Sequence, residues 1–412
     1  MIEKKVNNLL RGFPVVKKAV KRIYQIIFTL TSRKPKLSNN IVKITPDDGF
    51  EYFFGYYDKS PWCANDRFVL CLRVKEAHKK PAYDTVAEII MIDTQKNNEV
   101  IILGKTNAWN VQQGCMLQWL GPNFDEEIIY NDYYRNDYSS VILNIKTKEK
   151  RIIKKPVYSV TKDGNFALTL DFSRLHRLRP GYGYINKKDF TKDDNVPNST
   201  AIWLIDIKKD TIESVLEYTD LFNFERKDNM EGAEHKVNHL MINENGSRAI
   251  FLHRWIKNNN RFTRLVSMNL DGSDLYNLSD DDMTSHCNWK TEDEIVAYLN
   301  KKEYGTGYYL LKDKTNKYDK IIEDLKVDGH PSYSSDKQTI ITDTYPNKKR
   351  VSKFIVANEN EVLEKYNFYN PFKYDNDTRC DLHPRWNREN SKVCVDSVHD
   401  GKRALYIIEI GD

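Results

Sequence analysis

Hydrophobic residues in this chain come in short runs divided by polar turns, and one phrase of that pattern recurs. It consists of an anchor residue, two intervening residues, an aromatic or apolar residue, a polar turn and an apolar strand. In the C-terminal half it runs from His239 to Ile242, then through Asn245-Gly246 to Ala249–Leu252. It runs again from His286 to Trp289 ahead of Ile295–Tyr298, from His330 to Tyr333 ahead of Thr339–Thr342, and from His383 to Trp386 ahead of Val393–Val395. Successive anchors are 47, 44 and 53 residues apart, the period of a propeller blade. Three further copies register at Lys59–Trp62, Met116–Trp119 and Val157–Val160, each followed by an apolar strand.

Seven copies predict an all-β protein, a seven-bladed β-propeller, over residues 41–412. The one long gap, 82 residues between Val157 and His239, reads as a blade carrying a surface insertion at about 180–232. Residues 1–40 read as a separate amphipathic helix and linker. Val16, Val20, Ile23, Ile27 and Leu30 fall at steps of four and three along one helical face, bracketed by Pro14 and Pro35.

Composition agrees with many strands: 12% of the 412 residues are aromatic, 25 of them Tyr. Six cysteines show no paired spacing, which suits reduced thiols in the cytoplasm. Charge is nearly balanced, 64 basic against 59 acidic residues, which argues against a nucleic-acid partner. The imbalance is local. Ten Lys and Arg in the first 36 residues are opposed only by Glu3. With no apolar run long enough to span a bilayer, residues 1–35 suit peripheral contact with an anionic membrane, on its inner face, or packing against the propeller or a partner.

Propeller blades start beside a central axis, so equivalent anchors converge. Three imidazoles brought together, His286, His330 and His383, are a transition-metal site in which Cys287, Asp328 or Asp381 could complete or orient the shell. His239 shares the ring but stands outside that triad. Around them, Arg174, His176, Arg177 and Arg179 precede the turn-rich segment Pro180–Tyr184. His253, Arg254 and Arg385 follow strands or anchors, Gln112 and Gln113 flank an inner strand, and Tyr345 closes another. Guanidinium groups and rings around an axis suit an acidic carbohydrate. A hydrolase would instead need paired carboxylates, for which Asp343 and Asp396 are in register.

The phrases Asp328-Gly-His-Pro-Ser-Tyr-Ser-Ser-Asp336 and Asp381-Leu-His-Pro-Arg-Trp386, with Ser285-His-Cys-Asn-Trp289, resemble the propeller polysaccharide lyases of the oligogalacturonate-lyase and ulvan-lyase type, and more loosely the TolB-like propellers. The resemblance covers about residues 45–412. It implies a divalent metal, manganese foremost and zinc as the alternative, at His286, His330 and His383. It also implies β-elimination on a uronate-containing polysaccharide or oligosaccharide. In the oligogalacturonate-lyase branch a glutamine stands near the last histidines, and no Gln precedes His383 here. In the ulvan-lyase branch the metal is structural. Within this expectation His239 is the candidate base, Tyr182 or Tyr184 the acid, and Arg179 and Arg254 the carboxylate clamp. Substrate contacts would come from Gln112, Gln113, His176, Arg177, His253, Tyr345 and Arg385. The competing expectation is a non-catalytic propeller that binds glycan or protein during bacterial envelope polysaccharide biosynthesis at the membrane surface.

Overall fold

The computed structural model describes residues 14–30, 33–281 and 283–411. Strands make seven four-stranded antiparallel sheets, each ordered from the axis outward. The first holds Glu51–Phe53, Phe68–Val74, Ala87–Asp93 and Glu99–Thr106. Its middle strands pack Val69, Leu70, Leu72, Ile89, Ile90 and Ile92 against neighbouring sheets with nothing left exposed. Apolar residues on both faces of these strands are what a sheet sandwiched between two others requires. All six cysteines are buried and unpaired.

The ring is closed by a strand borrowed from the start of the chain. Ile41–Lys43 pairs antiparallel with Ala404–Glu409 as the outer strand of the last blade, in the register Ile41 with Ile408 and Lys43 with Tyr406. The repeat phrase shows inner strands only and gave no sign of this closure.

The long gap holds the outer strands of the third blade, Thr200–Asp206 and Thr211–Glu217, inside the stretch expected to be an insertion, with added segments before and after them. The helix Phe172–Leu178 follows the second strand of the third blade, capped by Asp171, whose side chain accepts from the backbone of Ser173 and Arg174. A turn-rich stretch then leads to the strand Thr200–Asp206. A second short helix, Tyr218–Asn223, precedes the fourth blade. Ahead of the propeller lies the helix Pro14–Leu30, with Pro14 at the first-turn position that tolerates proline. No helix among the described residues is long and apolar enough to cross a membrane.

Candidate functional site

Two of the anchor histidines sit where the sheet register slips. In the fourth blade Asn238 pairs with Leu252, but the next pair is Met241 with Ile250. One residue is left over, and His239 takes positive φ (57°) there. In the fifth blade Thr284 pairs with Leu299 and Cys287 with Ala297, leaving an extra residue around His286. Such bulges re-aim a side chain out of the sheet. His330 and His383 come just before the short inner strands Ser332–Tyr333 and Arg385–Trp386, and His383 is also held at positive φ (45°). Left-handed backbone at two non-glycine residues of one cluster is the strain expected where function fixes geometry.

The four rings meet at the axis. Centroids lie 4.0 Å apart for His286 and His330, 4.3 Å for His330 and His383, and 5.6 Å for His239 and His286. Carboxylates orient two of them. Nδ1 of His330 is 2.7 Å from Asp343, which also accepts the backbone N–H groups of His330 and His383 at 3.0 Å each. Nδ1 of His286 is 3.0 Å from Asp328. A Cβ on Gly329 would stand 2.0 Å from the carbonyl oxygen of Asp343, so only glycine lets the chain approach that closely.

With its Nδ1 committed to Asp343, His330 in its neutral form presents Nε2 as a lone pair. That atom and Nε2 of His383 are buried without a hydrogen-bond partner. Their common neighbour is Asp381. The ligand atoms of His330, Asp381 and His383 all lie within 4.8 Å of one another. Of the expected three histidines, His330 and His383 are in this set with Asp381, and His286 lies in the ring cluster beside it. The set fits a divalent metal, since two imidazole nitrogens and a carboxylate oxygen are ligands of the borderline kind, and an imidazole backed by a carboxylate is the usual metal-binding arrangement. Cys287 is not a ligand. Burial pushes its thiol up to about 12, and its backbone is tied to the Tyr57 hydroxyl.

Protonation divides the ring. Burial and then the charges of His330, Arg385 and His286 push His383 well below the ordinary imidazole range. Burial, then Arg254, does the same to His239. For His330 burial also acts downward, but Asp343 outweighs it and the net shift is upward.

A second group of side chains carries positive charge without a counter-charge. Lys236 and Arg254 are directly opposite each other on paired strands, both buried, and like charges in that arrangement repel. Arg179 and Arg261 join them closer to solvent. Burial first, and these neighbouring cations next, lower both Lys236 and Arg254. Among the described residues none of the four makes an ion pair, and Nε of Arg254 is buried without a partner. Lys236 donates to the Leu178 carbonyl at 3.0 Å, and Arg254 to that of Thr284 at 3.3 Å. Arg179 lies over the Tyr182 ring, 5.1 Å from its centroid, and Tyr182 is 6.4 Å from His239.

Other expected site residues are placed elsewhere. Tyr184 is wholly buried, stacked on Phe172 at 4.4 Å with its hydroxyl accepting from Asn131, and belongs to the core. Arg177 is spent on Asp189 and Glu234 at 2.7 and 2.6 Å, and Arg174 on the backbone carbonyls of His235, Thr191 and Asn195. His253 is locked between His235, 2.8 Å away, and Arg264, 3.0 Å away. Arg385 holds Asp396 at 2.7 Å, and Asp396 also accepts the N–H groups of Phe54 and Gly55. The amide of Gln112 donates to the carbonyls of Asp377 and Arg379, and that of Gln113 to Tyr158. His176 stands near Lys80 and Asp377, lowered mainly by burial. Tyr345 does reach the cluster, 6.0 Å from His330 and 6.3 Å from His286. Asp343 and Asp396 are both consumed in holding the backbone, which removes the hydrolase pair.

Five site residues have no signal in the repeat register: Lys236 and Arg261 of the cationic group, and Tyr56, Tyr57 and Arg379. Tyr56 and Tyr57 enter from the loop after Glu51–Phe53. The Tyr56 hydroxyl is 3.0 Å from the His239 ring nitrogens, and its ring is 5.0 Å from that of His383. Gly55 just before them has φ 123°, and a Cβ there would meet the Gln113 backbone at 2.7 Å. Gly-Tyr-Tyr-Asp ahead of the first anchor was the available signal. Arg379 grips Asp381 through two bonds of 2.5 and 2.7 Å and covers the Tyr345 ring at 4.1 Å. A cavity of about 580 Å³ lined by Arg73, Lys79, Lys80, Glu88 and Trp109 shares no residue with this cluster, and the chemistry is not there.

Comparison with known proteins places the fold. An oligogalacturonate lyase from Vibrio parahaemolyticus superposes with a TM-score of 0.63 at 12% identity, over 92% of this chain and 96% of its own. An oligogalacturonate lyase in complex with manganese superposes at 0.64 and 14% identity, over 90% and 93%. No protein-family model matches the sequence. No curated protein matches it either.

Proposed function

We propose that this protein cleaves a uronate-containing oligosaccharide or polysaccharide by β-elimination, with a divalent metal, manganese first among candidates, held by His330, His383 and Asp381. The observation that carries the reading is one of missing partners. Two buried imidazole nitrogens lack a hydrogen bond, and beside them four cations lack a carboxylate. A bound metal and an anionic sugar supply what is missing. The likeness in fold to oligogalacturonate lyases, one of them in complex with manganese, supports the choice of substrate class and metal.

The proton to be removed lies at C5, next to the uronate carboxylate, and is weakly acidic until that carboxylate is neutralised. The metal, when bound, supplies Lewis-acid withdrawal of that charge. Arg254 and Lys236, with Arg179 and Arg261 at the entrance, bind and orient the carboxylate. His239 is neutral, because burial and Arg254 hold its pKa down, so it can accept the C5 proton. Tyr56, at 3.0 Å, fixes its imidazole. The C5–H electron pair forms the C4–C5 double bond as the C4–O bond breaks. Tyr182 returns a proton to the departing glycosidic oxygen.

The test is turnover of acidic oligosaccharides with manganese and after chelation, read as ultraviolet absorbance of the unsaturated uronate. Metal-dependent product supports the reading. Tight binding of acidic glycans with no unsaturated product under any metal makes the protein a glycan-binding propeller instead.

A further inference from the structure

An amphipathic helix on a globular protein ordinarily buries its apolar stripe and shows its polar face to water. The helix Pro14–Leu30 does the reverse. Gln25 is buried at 7% exposure, and Arg22 points the same way, pairing with Asp375 at 3.3 Å and covering the Phe372 ring at 4.7 Å. On the opposite side Val16, Val20 and Ile23 are 48, 38 and 59% exposed. The predicted apolar positions Val16, Val20 and Ile23 are therefore turned outward, and the helix meets the propeller through Arg22, Gln25 and the rings of Tyr24 and Phe28, which Lys348 covers at 5.8 and 4.4 Å.

We propose that this outward stripe docks the protein on an anionic lipid surface, the helix lying in the plane of the headgroups. Charge favours lipid as the occupant. No Asp or Glu occurs between residues 14 and 46, while Lys17, Lys18, Lys21, Arg33 and Lys36 do, with Arg33 and Lys36 exposed. Arg22 and Lys34 are already paired, with Asp375 and Asp400. An apolar stripe in a segment that is basic by sequence and holds no acidic residue matches an interface of acyl chains beneath anionic headgroups. A second copy of the chain would bring the same basic segments together and repel. At 17 residues the helix is about 25 Å long, so it lies on a bilayer without crossing it.

The docking also orients the site. Arg22 and Gln25 line a cavity of about 270 Å³ together with Tyr345 and Arg379, and those last two cover Asp381 and the histidines. The helix thus sits on the face of the propeller that carries the cluster, and lipid docking turns that face toward the membrane. This inference stands on the helix alone and survives if the lyase reading fails.

The experiment is cosedimentation of the full-length chain with phosphatidylcholine vesicles, with and without about 30 mol% phosphatidylglycerol. Binding is expected only to the anionic vesicles and should disappear at about 0.5 M salt, where charges are screened within a few ångström. The double variant Val20→Asp, Ile23→Asp should partition at least tenfold more weakly, about 1.4 kcal/mol. Both positions are exposed, so its thermal melt should match wild type. Equal sedimentation with neutral and anionic vesicles, or of wild type and variant, overturns the proposal. So does a wild type that ignores vesicles but loses self-association in the variant, which would assign the stripe to a second copy.

Discussion

Asp343 is the residue on which the cluster turns, and Asp343→Asn is the sharpest test of the metal site. Its carboxylate accepts three hydrogen bonds: from His330 Nδ1 at 2.7 Å and from the backbone of His330 and His383 at 3.0 Å each. It therefore fixes the tautomer that leaves His330 Nε2 free and the loop that carries His383. Asparagine keeps one accepting oxygen and turns an NH2 group toward one of three donors. One bond is lost and a buried N–H left unpaired, at about 1–3 kcal/mol of stability. The remaining imidazole loses the charge that makes it a strong ligand, and changes of that kind typically cost about 10–100-fold in metal affinity. Calorimetric titration of manganese into metal-free wild type and variant, with circular dichroism to confirm both are folded, measures this directly. A folded Asp343→Asn protein that binds manganese as tightly as wild type would refute the assignment. A wild type that binds no divalent metal would do so more completely.

His239→Ala should keep fold and metal yet lose elimination by about a hundredfold or more, whereas His383→Ala should lose metal and activity together; equal metal content in the two variants removes their separate roles. Arg254→Ala should weaken binding of acidic oligosaccharide at least tenfold while leaving metal affinity unchanged, and a neutral oligosaccharide should show no such loss. Because His330 is raised by Asp343 and must be deprotonated to bind metal, manganese affinity should climb as pH rises through neutrality, by up to about tenfold per unit; a flat profile from pH 6 to 8 would place the metal elsewhere. Burial holds His235 down to about 4, so the unfolded chain takes up a proton between about pH 6.5 and 4 that the folded one refuses. Stability is then full above pH 6.5 and falls by up to about 3 kcal/mol as pH drops through that window, which denaturant melts at stepped pH would register.

The fold was legible because a propeller writes its period into the chain: each inner strand repeats the same anchor and aromatic, and four of the anchors are histidine. What the period could not report was contact between residues that do not repeat. The strand Ile41–Lys43 closes the last blade through pairs with residues more than 360 positions away, and nothing in its three residues announces that. Tyr56 and Tyr57 reach the cluster from a loop lying ahead of the first anchor, outside the register by which the histidines were found. The errors have the same origin. Arg177, His253 and Arg385 look like site cations by sequence neighbourhood, but each finds a carboxylate, an imidazole or a guanidinium that only the fold brings near. Arg254 and Lys236 find none, and that difference is invisible in sequence.

The two unusual features of the site explain each other electrostatically. On one side Asp328, Asp343 and Asp381 surround three histidines, of which His286 and His383 are held neutral, while Arg379 offsets Asp381. On the other side Lys236, Arg254, Arg179 and Arg261 stand together without acids. A protein that needed neither ligand would gain stability by pairing the two sides directly, since a buried like-charged pair such as Lys236 and Arg254 costs free energy that a carboxylate would recover. The chain instead spends its carboxylates on the histidines and keeps its cations apart. That separation is costly in the free protein and favourable once a metal cation completes the acidic side and a carboxylate completes the basic one. The bound metal and the bound anion should therefore each stabilise the fold, and together they should stabilise it by more than either alone, because the metal adds a positive charge beside a site already short of anions. Thermal melts with manganese, with an acidic oligosaccharide and with both test this. Strictly additive shifts would mean that the two halves of the site do not share a ligand.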